Sequence, residues 1–447
     1  MTKPPYERPL LVRHESGLMN KFGRMRAMRP QREIDSIAVS GLVEQYGSPL
    51  FVFSERTLTQ RYRELFQSFS LRHPKLRLAW SYKTNYLNGI CQVFHKEGAY
   101  AEVVSEFEYD KALALGVSPS RIHFNGPLKS EAVLERALRD GSMIHIDHFD
   151  ELAAAEHTAQ RLGITPNVAI RVNLTAPGIE PWSRFGFQLE SGQAMSAVRR
   201  ILAGGHLRLN GLHCHIGTFI LDTEAYRDAA RKLVEFANSL LTEHGVLLDF
   251  IDLGGGFASH NQLRLQYLPA EQATPSFARY AEAIADGWAS LRYPADKEPT
   301  LVLETGRALV DDAGYLIATV HANKRLSDGR RGVVLDAGVN SLFTSFWYNH
   351  DLSPAQEFGA SFEPTVFYGP LCMNIDVVHE TLLFPALNVG DRVVFRNVGA
   401  YNVTQWMQFI TYRPAVVLVG PGGQTSLLRR RETLEDVCGP EVTPPWL

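Results

Sequence analysis

Eight short apolar runs recur between residues 76 and 303, at 76–81, 100–104, 121–124, 143–146, 167–172, 209–213, 250–253 and 300–303. Helical periodicity fills the gaps between them, as at 131–139, 151–162 and 225–243. A strand that is repeatedly followed by a helix calls for parallel pairing with crossover helices. Eight such units over about 250 residues match the count and length of a TIM (β/α)8 barrel. An open, doubly wound sheet shares the alternation. The barrel is preferred because distinctive polar residues stand at nearly every run's C-terminal end, where a barrel builds its site.

The flanks read differently. Residues 1–48 mix Pro, Arg and short apolar groups and end in a helical piece, 37–46, closed by Gly47. Residues 50–53 read as a strand, and Ser54 caps a helix whose Leu58, Tyr62, Leu65, Phe66 and Phe69 share a face. After about Ala308 come short strands at 333–336, 365–368, 392–396 and 415–419, with Gly and Pro turns and few helices. The expected division is an N-terminal segment, 1–50, packing with a β-rich C-terminal domain, 309–447, around a barrel at 51–308. Arg429-Arg430-Arg431 reads as a solvated helix end.

A chain of 447 residues suits two domains. Its net charge of −3 gives no general attraction to nucleic acid or anionic membrane, so a small-molecule partner is expected. Cys91, Cys214, Cys372 and Cys438 form no CxxC pair and no metal pattern, so reduced thiols in a cytoplasmic protein and no metal are the expectation. The N-terminus carries Arg13, Lys21, Arg24, Arg26 and Arg29 without an apolar h-region, which does not read as a signal peptide. No apolar run approaches the ~20 residues of a membrane span.

The chemistry sits at the run ends. Residues 78–85 deliver Lys83 to the end of the first run, followed by a Thr-Asn turn. A lysine there is ordinarily a solvated surface residue; the other reading is an amine held in a cleft to condense with an aldehyde. The seventh run ends in Asp252-Leu253-Gly254-Gly255-Gly256, and glycines without Cβ atoms let backbone N–H groups approach an anion. The eighth ends in Glu304-Thr305-Gly306-Arg307, which adds a fixed cation. Barrels often place a phosphate between these two loops. A phosphate, a lysine and the Glu304 carboxylate together fit pyridoxal 5'-phosphate, with His215 placed to stack on its ring.

In this order and spacing the motifs resemble those of the pyridoxal-phosphate-dependent decarboxylases of fold type III, which act on diaminopimelate, ornithine, lysine and arginine. The resemblance runs from Tyr46-Gly47-Ser48-Pro49 to about Val419. It implies an alanine-racemase-like barrel, a C-terminal β domain and a head-to-tail homodimer with shared active sites. By the same resemblance Lys83 is the aldimine lysine, Glu102 and Arg171 line the cofactor, and His215 stacks on the ring. Thr218, Gly254, Gly255, Gly256, Gly306, Arg307 and Tyr401 lie around the phosphate, and Glu304 meets the ring nitrogen. Cys372 is implied as the proton donor that reaches the partner's site, with Glu108, Thr344, Tyr348, Met373 and Asp376 on the substrate side.

The implied reaction is decarboxylation of an amino acid or conjugate at Cα, through an external aldimine and a carbanion stabilised by the pyridinium. Two positions depart from the family pattern. Met373 stands where an acidic residue recognises a distal amine, and Thr344 where an arginine holds a distal carboxylate; bulky Phe346 and Trp347 follow. An amino-acid racemase on the same fold and an inactive pyridoxal-phosphate-binding homologue are the alternatives. Glu304 and Cys372 argue against the first, and the intact motif set argues against the second.

Overall fold

The computed structural model describes residues 28–447. The basic positions up to Arg26, and most of the 1–50 segment, lie outside the described residues.

Eight parallel strands close into a barrel: Leu76–Ser81, Tyr100–Val103, Ile122–Phe124, Met143–Ile146, Asn167–Asn173, Arg208–His213, Phe250–Asp252 and Thr300–Leu303. Closure is explicit in the register, because Leu301 of the last strand pairs with Leu76 of the first. All eight runs read from the sequence are therefore barrel strands. Helices such as Glu55–Ser70, Phe149–Leu162 and Glu224–His244 follow or precede them on the outside. Ser54, Ser130 and Ser276 each accept a backbone N–H at a helix start, which satisfies donors that the first turn leaves orphaned. Within the barrel, Phe250 faces Gly211, where a Cβ would meet its ring at 2.3 Å; the missing side chain makes room for the aromatic.

On helix Glu55–Ser70, Leu58, Tyr62, Leu65 and Phe69 are buried, but Phe66 is 43% exposed. At roughly 100° per residue Phe66 lies at the edge of the apolar stripe, so the one-face reading overreached by one position.

The C-terminal region is a nine-stranded sheet. Its central strand is Gly314–Arg325, and Leu50–Ser54 lies antiparallel to it and parallel to Ala415–Val419. The boundary expected at residue 51 thus cuts a strand of this second sheet, and the one at 308 cuts helix Arg307–Val310. Helix Val39–Tyr46 shares an apolar cluster with the same sheet through Val39, Leu42, Leu50, Val52, Ile317 and Val417. Gly314–Arg325 escaped the sequence reading because only its first half is apolar. Its polar end, Asn323-Lys324-Arg325, is held extended by pairing with Arg331–Leu335. The triple arginine is not a helix end. It closes strand Thr425–Arg429, where Arg429 meets Glu432, Arg430 meets Asp436, and Arg431 donates to the Pro49 carbonyl at 3.2 Å. Among the described residues no helix is long and apolar enough to cross a membrane.

Candidate active site

A cavity of about 850 Å³ opens at the C-terminal ends of the barrel strands. Its lining includes Lys83, Glu102, Arg171, His215, Thr218, Gly255, Gly256, Glu304, Gly306, Arg307, Tyr348 and Tyr401.

A line of hydrogen bonds crosses the floor. Lys83 Nζ donates to Glu102 Oε2 at 2.5 Å. Asn125 Nδ2 donates to Glu102 Oε1 at 3.0 Å and to Glu304 Oε1 at 2.6 Å. His213 Nε2 lies 3.2 Å from the other Glu304 oxygen. Burial works against the Lys83 charge, yet Glu102, then Tyr401 and Glu304, outweigh it and hold the ammonium above the ordinary lysine range. The lysine side chain is 37% exposed, and that exposure faces the cavity, whereas Glu102 is sealed. Burial likewise opposes the Glu304 charge, but the His213 ring bonded to it and the Lys83 ammonium hold its carboxyl well below the ordinary range.

The far side is built by absent side chains. A Cβ on Gly254 (φ +66°) would sit 2.6 Å from the Cys214 carbonyl oxygen and 2.7 Å from His215 Nδ1. On Gly256 (φ +97°) it would sit 2.3 Å from the Gly217 carbonyl oxygen. Gly255 N–H donates to His215 Nδ1 at 3.2 Å, which puts the imidazole proton on Nε2. Burial, with Arg171 and Lys83 nearby, pushes His215 well below its usual range, so the ring is neutral. Beside this turn Arg307 is 6% exposed, and its Nε and Nη1 have no hydrogen-bond partner. Its guanidinium lies 4.7 Å from the Tyr401 ring and 5.3 Å from that of Tyr348. A buried cation with orphaned donors, its nearest carboxylate Asp311 at 3.9 Å, beside a loop stripped of Cβ atoms, has the chemistry that suits an anion.

Residues 56–311 match the family model described as "Pyridoxal-dependent decarboxylase, pyridoxal binding domain". The chain is similar to diaminopimelate decarboxylase of Bacillus subtilis (strain 168), at 30% identity across 95% of this chain and 96% of that protein. A second diaminopimelate decarboxylase, from Methanocaldococcus jannaschii, is 30% identical over 93% of this chain and 95% of its own length. The crystal structure of diaminopimelate decarboxylase from M. jannaschii superposes with a TM-score of 0.84, at 29% identity, over 94% of this chain and 98% of that one. The chain belongs to the pyridoxal-dependent decarboxylases. None of these matches supports a racemase.

The decarboxylase's residues fit its cofactor: orphaned Arg307 donors and the glycine turn suit the phosphate, and a sealed, ionised Glu304 suits a ring nitrogen. Tyr401 (φ +60°) enters from the second sheet, and its N–H donates to the Thr84 carbonyl at 2.9 Å, beside Lys83.

Other residues read from the sequence lie elsewhere. Gly254 stands behind the lining. Glu108 accepts from Val104 N–H at 2.9 Å, and burial, then Glu102, pushes its carboxyl up to about 7. Thr344 Oγ1 bonds Asn402 Oδ1 and His350 Nε2, both at 2.9 Å, and is turned away from the cavity. Asp376 accepts from Val339 and Leu371 N–H, both at 2.8 Å, pinning two turns together. Met373 packs on the core, and Cys372 is exposed outside its own chain's cavity.

The sequence reading missed Asn125, Trp182, Phe185 and Arg264 in the wall. Asn125-Gly126-Pro127 directly follows the third barrel strand, and that turn at a strand end was the available signal.

Proposed function

We propose that this decarboxylase removes the α-carboxylate of a large or modified amino acid, with Lys83 as the anchoring lysine and Glu304 as the ring-nitrogen partner. The observation that carries the reading is the hydrogen-bonded line from Lys83 through Glu102 and Asn125 to Glu304.

Bound pyridoxal 5'-phosphate supplies an electron sink for the pair left when the Cα–carboxylate bond breaks. The chain's own residues do the rest. Glu102 holds or takes the Nζ proton of Lys83, which must be neutral to act as an amine nucleophile. Glu304, ionised and buried, favours a protonated ring nitrogen. Neutral His215 offers a flat face for the ring, and Arg307 with the Gly254–Gly256 turn receives the phosphate. The proton that replaces the carboxylate is assigned to Cys372 of a second copy, because Cys372 is exposed and absent from its own cavity. The assembly is then a head-to-tail homodimer with shared sites. A cytoplasmic location accords with four unpaired cysteines.

The substrate reading rests on the wall. Met373 offers a distal ammonium no charge, and a buried ammonium without a partner is strongly disfavoured. Thr344 is committed to Asn402 and His350. Trp182, Phe185, Phe219, Leu263 and Trp347 make the apolar part of the wall, in which Arg264 is engaged by the Ser345 carbonyl and Glu380. A CO₂-release screen over free, acylated and carrier-bound amino acids tests this. Diaminopimelate, ornithine and lysine should all fall short of about 10⁴ M⁻¹s⁻¹ in kcat/KM, the lower edge of ordinary efficiency; any of them above it refutes the reading.

A further inference from the structure

Beneath Glu304 the barrel interior is polar. His123, His145, Asp252 and Glu304 are all buried, and their polar atoms lie within 4.8 Å of one another. Asp252 Oδ1 accepts the Gly254 N–H at 2.8 Å. Its other oxygen, Oδ2, has no donor; the nearest imidazole nitrogen, His123 Nδ1, is 3.8 Å away and is engaged with His145 Nε2 at 3.2 Å.

An ionised carboxylate there would lack a cation. Lys83 is taken by Glu102, and Arg171 faces Asp147 at 3.6 Å. Arg77 reaches only the far nitrogen of His123, at 3.5 Å. Burial pushes His123 down to about 3 and His145 well below its usual range, so both rings are neutral. Cys214, the other titratable group beside Asp252, is held up by burial and stays a thiol. The remaining neighbours are Glu102 and Glu304, themselves acids, and His213 on the adjacent strand, whose Nε2 is taken by Glu304 at 3.2 Å. Two carboxylates this close in a dry core cannot both ionise. Burial and then Glu304 raise the Asp252 carboxyl well above its ordinary range.

We infer that Asp252 keeps its proton and donates it from Oδ2 to Glu304, making Glu304 the single anion of this floor. Asp252 is then a positioning residue: one oxygen fastens the glycine turn, and the other orients the carboxylate that meets the ring nitrogen. The inference rests on the Glu304 reading above, and its test separates the two.

Infrared difference spectra of holoenzyme carrying ¹³C-aspartate should show a protonated carboxyl at pH 8, above the value of about 6 to which burial pushes Asp311. The band should vanish in Asp252→Asn. That variant, still able to donate, should leave the ¹⁵N shift of ring-labelled cofactor within the wild-type range. Asp252→Leu should move the shift toward the unprotonated ring or release the cofactor. No protonated aspartate at pH 8, or an Asn variant as perturbed as the Leu variant, overturns the inference. A stoichiometric metal bound by the same four side chains overturns it too. If Asp252→Asn does not fold, the wild-type band alone decides. An unchanged ¹⁵N shift in Glu304→Gln would instead sink the Glu304 reading and leave the Asp252 band untouched.

Discussion

Asn125→Leu removes one amide and strands two carboxylates. The wild-type Nδ2 donates at 3.0 Å to Glu102 and at 2.6 Å to Glu304, both buried. A hydrogen bond to a charged group contributes about 1.5–3 kcal/mol. Glu102 keeps Lys83 and Glu304 keeps His213, so each acid retains one partner and the two losses do not add in full. A net cost of about 1.5–3 kcal/mol corresponds to a fall in kcat/KM of about 10- to 150-fold. Leucine keeps the branched outline of asparagine, so the barrel should still fold, with a melting temperature lowered by several degrees by the lost hydrogen bonds. The assay is CO₂ release on whichever substrate the screen identifies, with cofactor affinity measured by absorbance titration in parallel. A change below threefold with unaltered cofactor affinity would refute the idea that the floor acts as one connected line.

Lys83→Ala should abolish the covalent link to the cofactor that borohydride fixes in the wild-type protein; an adduct that persists or maps to another lysine would overturn the assignment. Mixing Lys83→Ala with Cys372→Ala under subunit exchange should restore roughly a quarter of the sites, by random assortment in a two-fold dimer. No recovery despite demonstrated exchange counts against shared sites. His260 Nδ1 lies 2.7 Å from Asp312, and that hydrogen bond, against burial, raises the imidazole above its usual 6.5. Its stabilisation is therefore present below about pH 6.5 and lost as pH rises through the raised folded value. His260→Gln should shrink the drop in melting temperature between pH 6 and pH 8; an equal drop in both proteins would contradict this.

Much of the floor was legible because its chemistry lies in contiguous motifs. Residues 252–256 and 304–307 carry glycines, an acid and a cation that no strand needs for packing. What escaped depends on closure and on long-range partners. Asn125 is an ordinary turn residue until the barrel brings it between strands two and eight. Thr344 stood at the expected motif position, but its hydroxyl is claimed by Asn402, 58 residues away, which no local pattern announces. Leu50–Ser54 was legible as a strand but not as a member of the second sheet, since its partners begin at Gly314 and Ala415.

On the proposed assignments, chemistry and specificity are held by different parts of this chain. Lys83, Glu102, Asn125, His215, Glu304 and Arg307 all stand on barrel strand ends or the turns after them. The wall over them joins a strap from the barrel to a segment of the C-terminal region: Gln262–Leu263 pairs with Tyr348–Asn349 in a sheet of their own, and Arg264 N–H donates to the Trp347 carbonyl at 3.0 Å. Arg264 Nε also donates to the Ser345 carbonyl at 3.0 Å. None of the floor's hydrogen bonds is made by this strap, so the reaction and the substrate can vary independently among relatives at 30% identity. Nor is a cation easily placed at position 344. An arginine at position 344 would forfeit the hydroxyl's bonds to Asn402 and His350 and bring a guanidinium into a site where Thr344 is 1% exposed. That burial carries a desolvation cost unless the cavity supplies an anion.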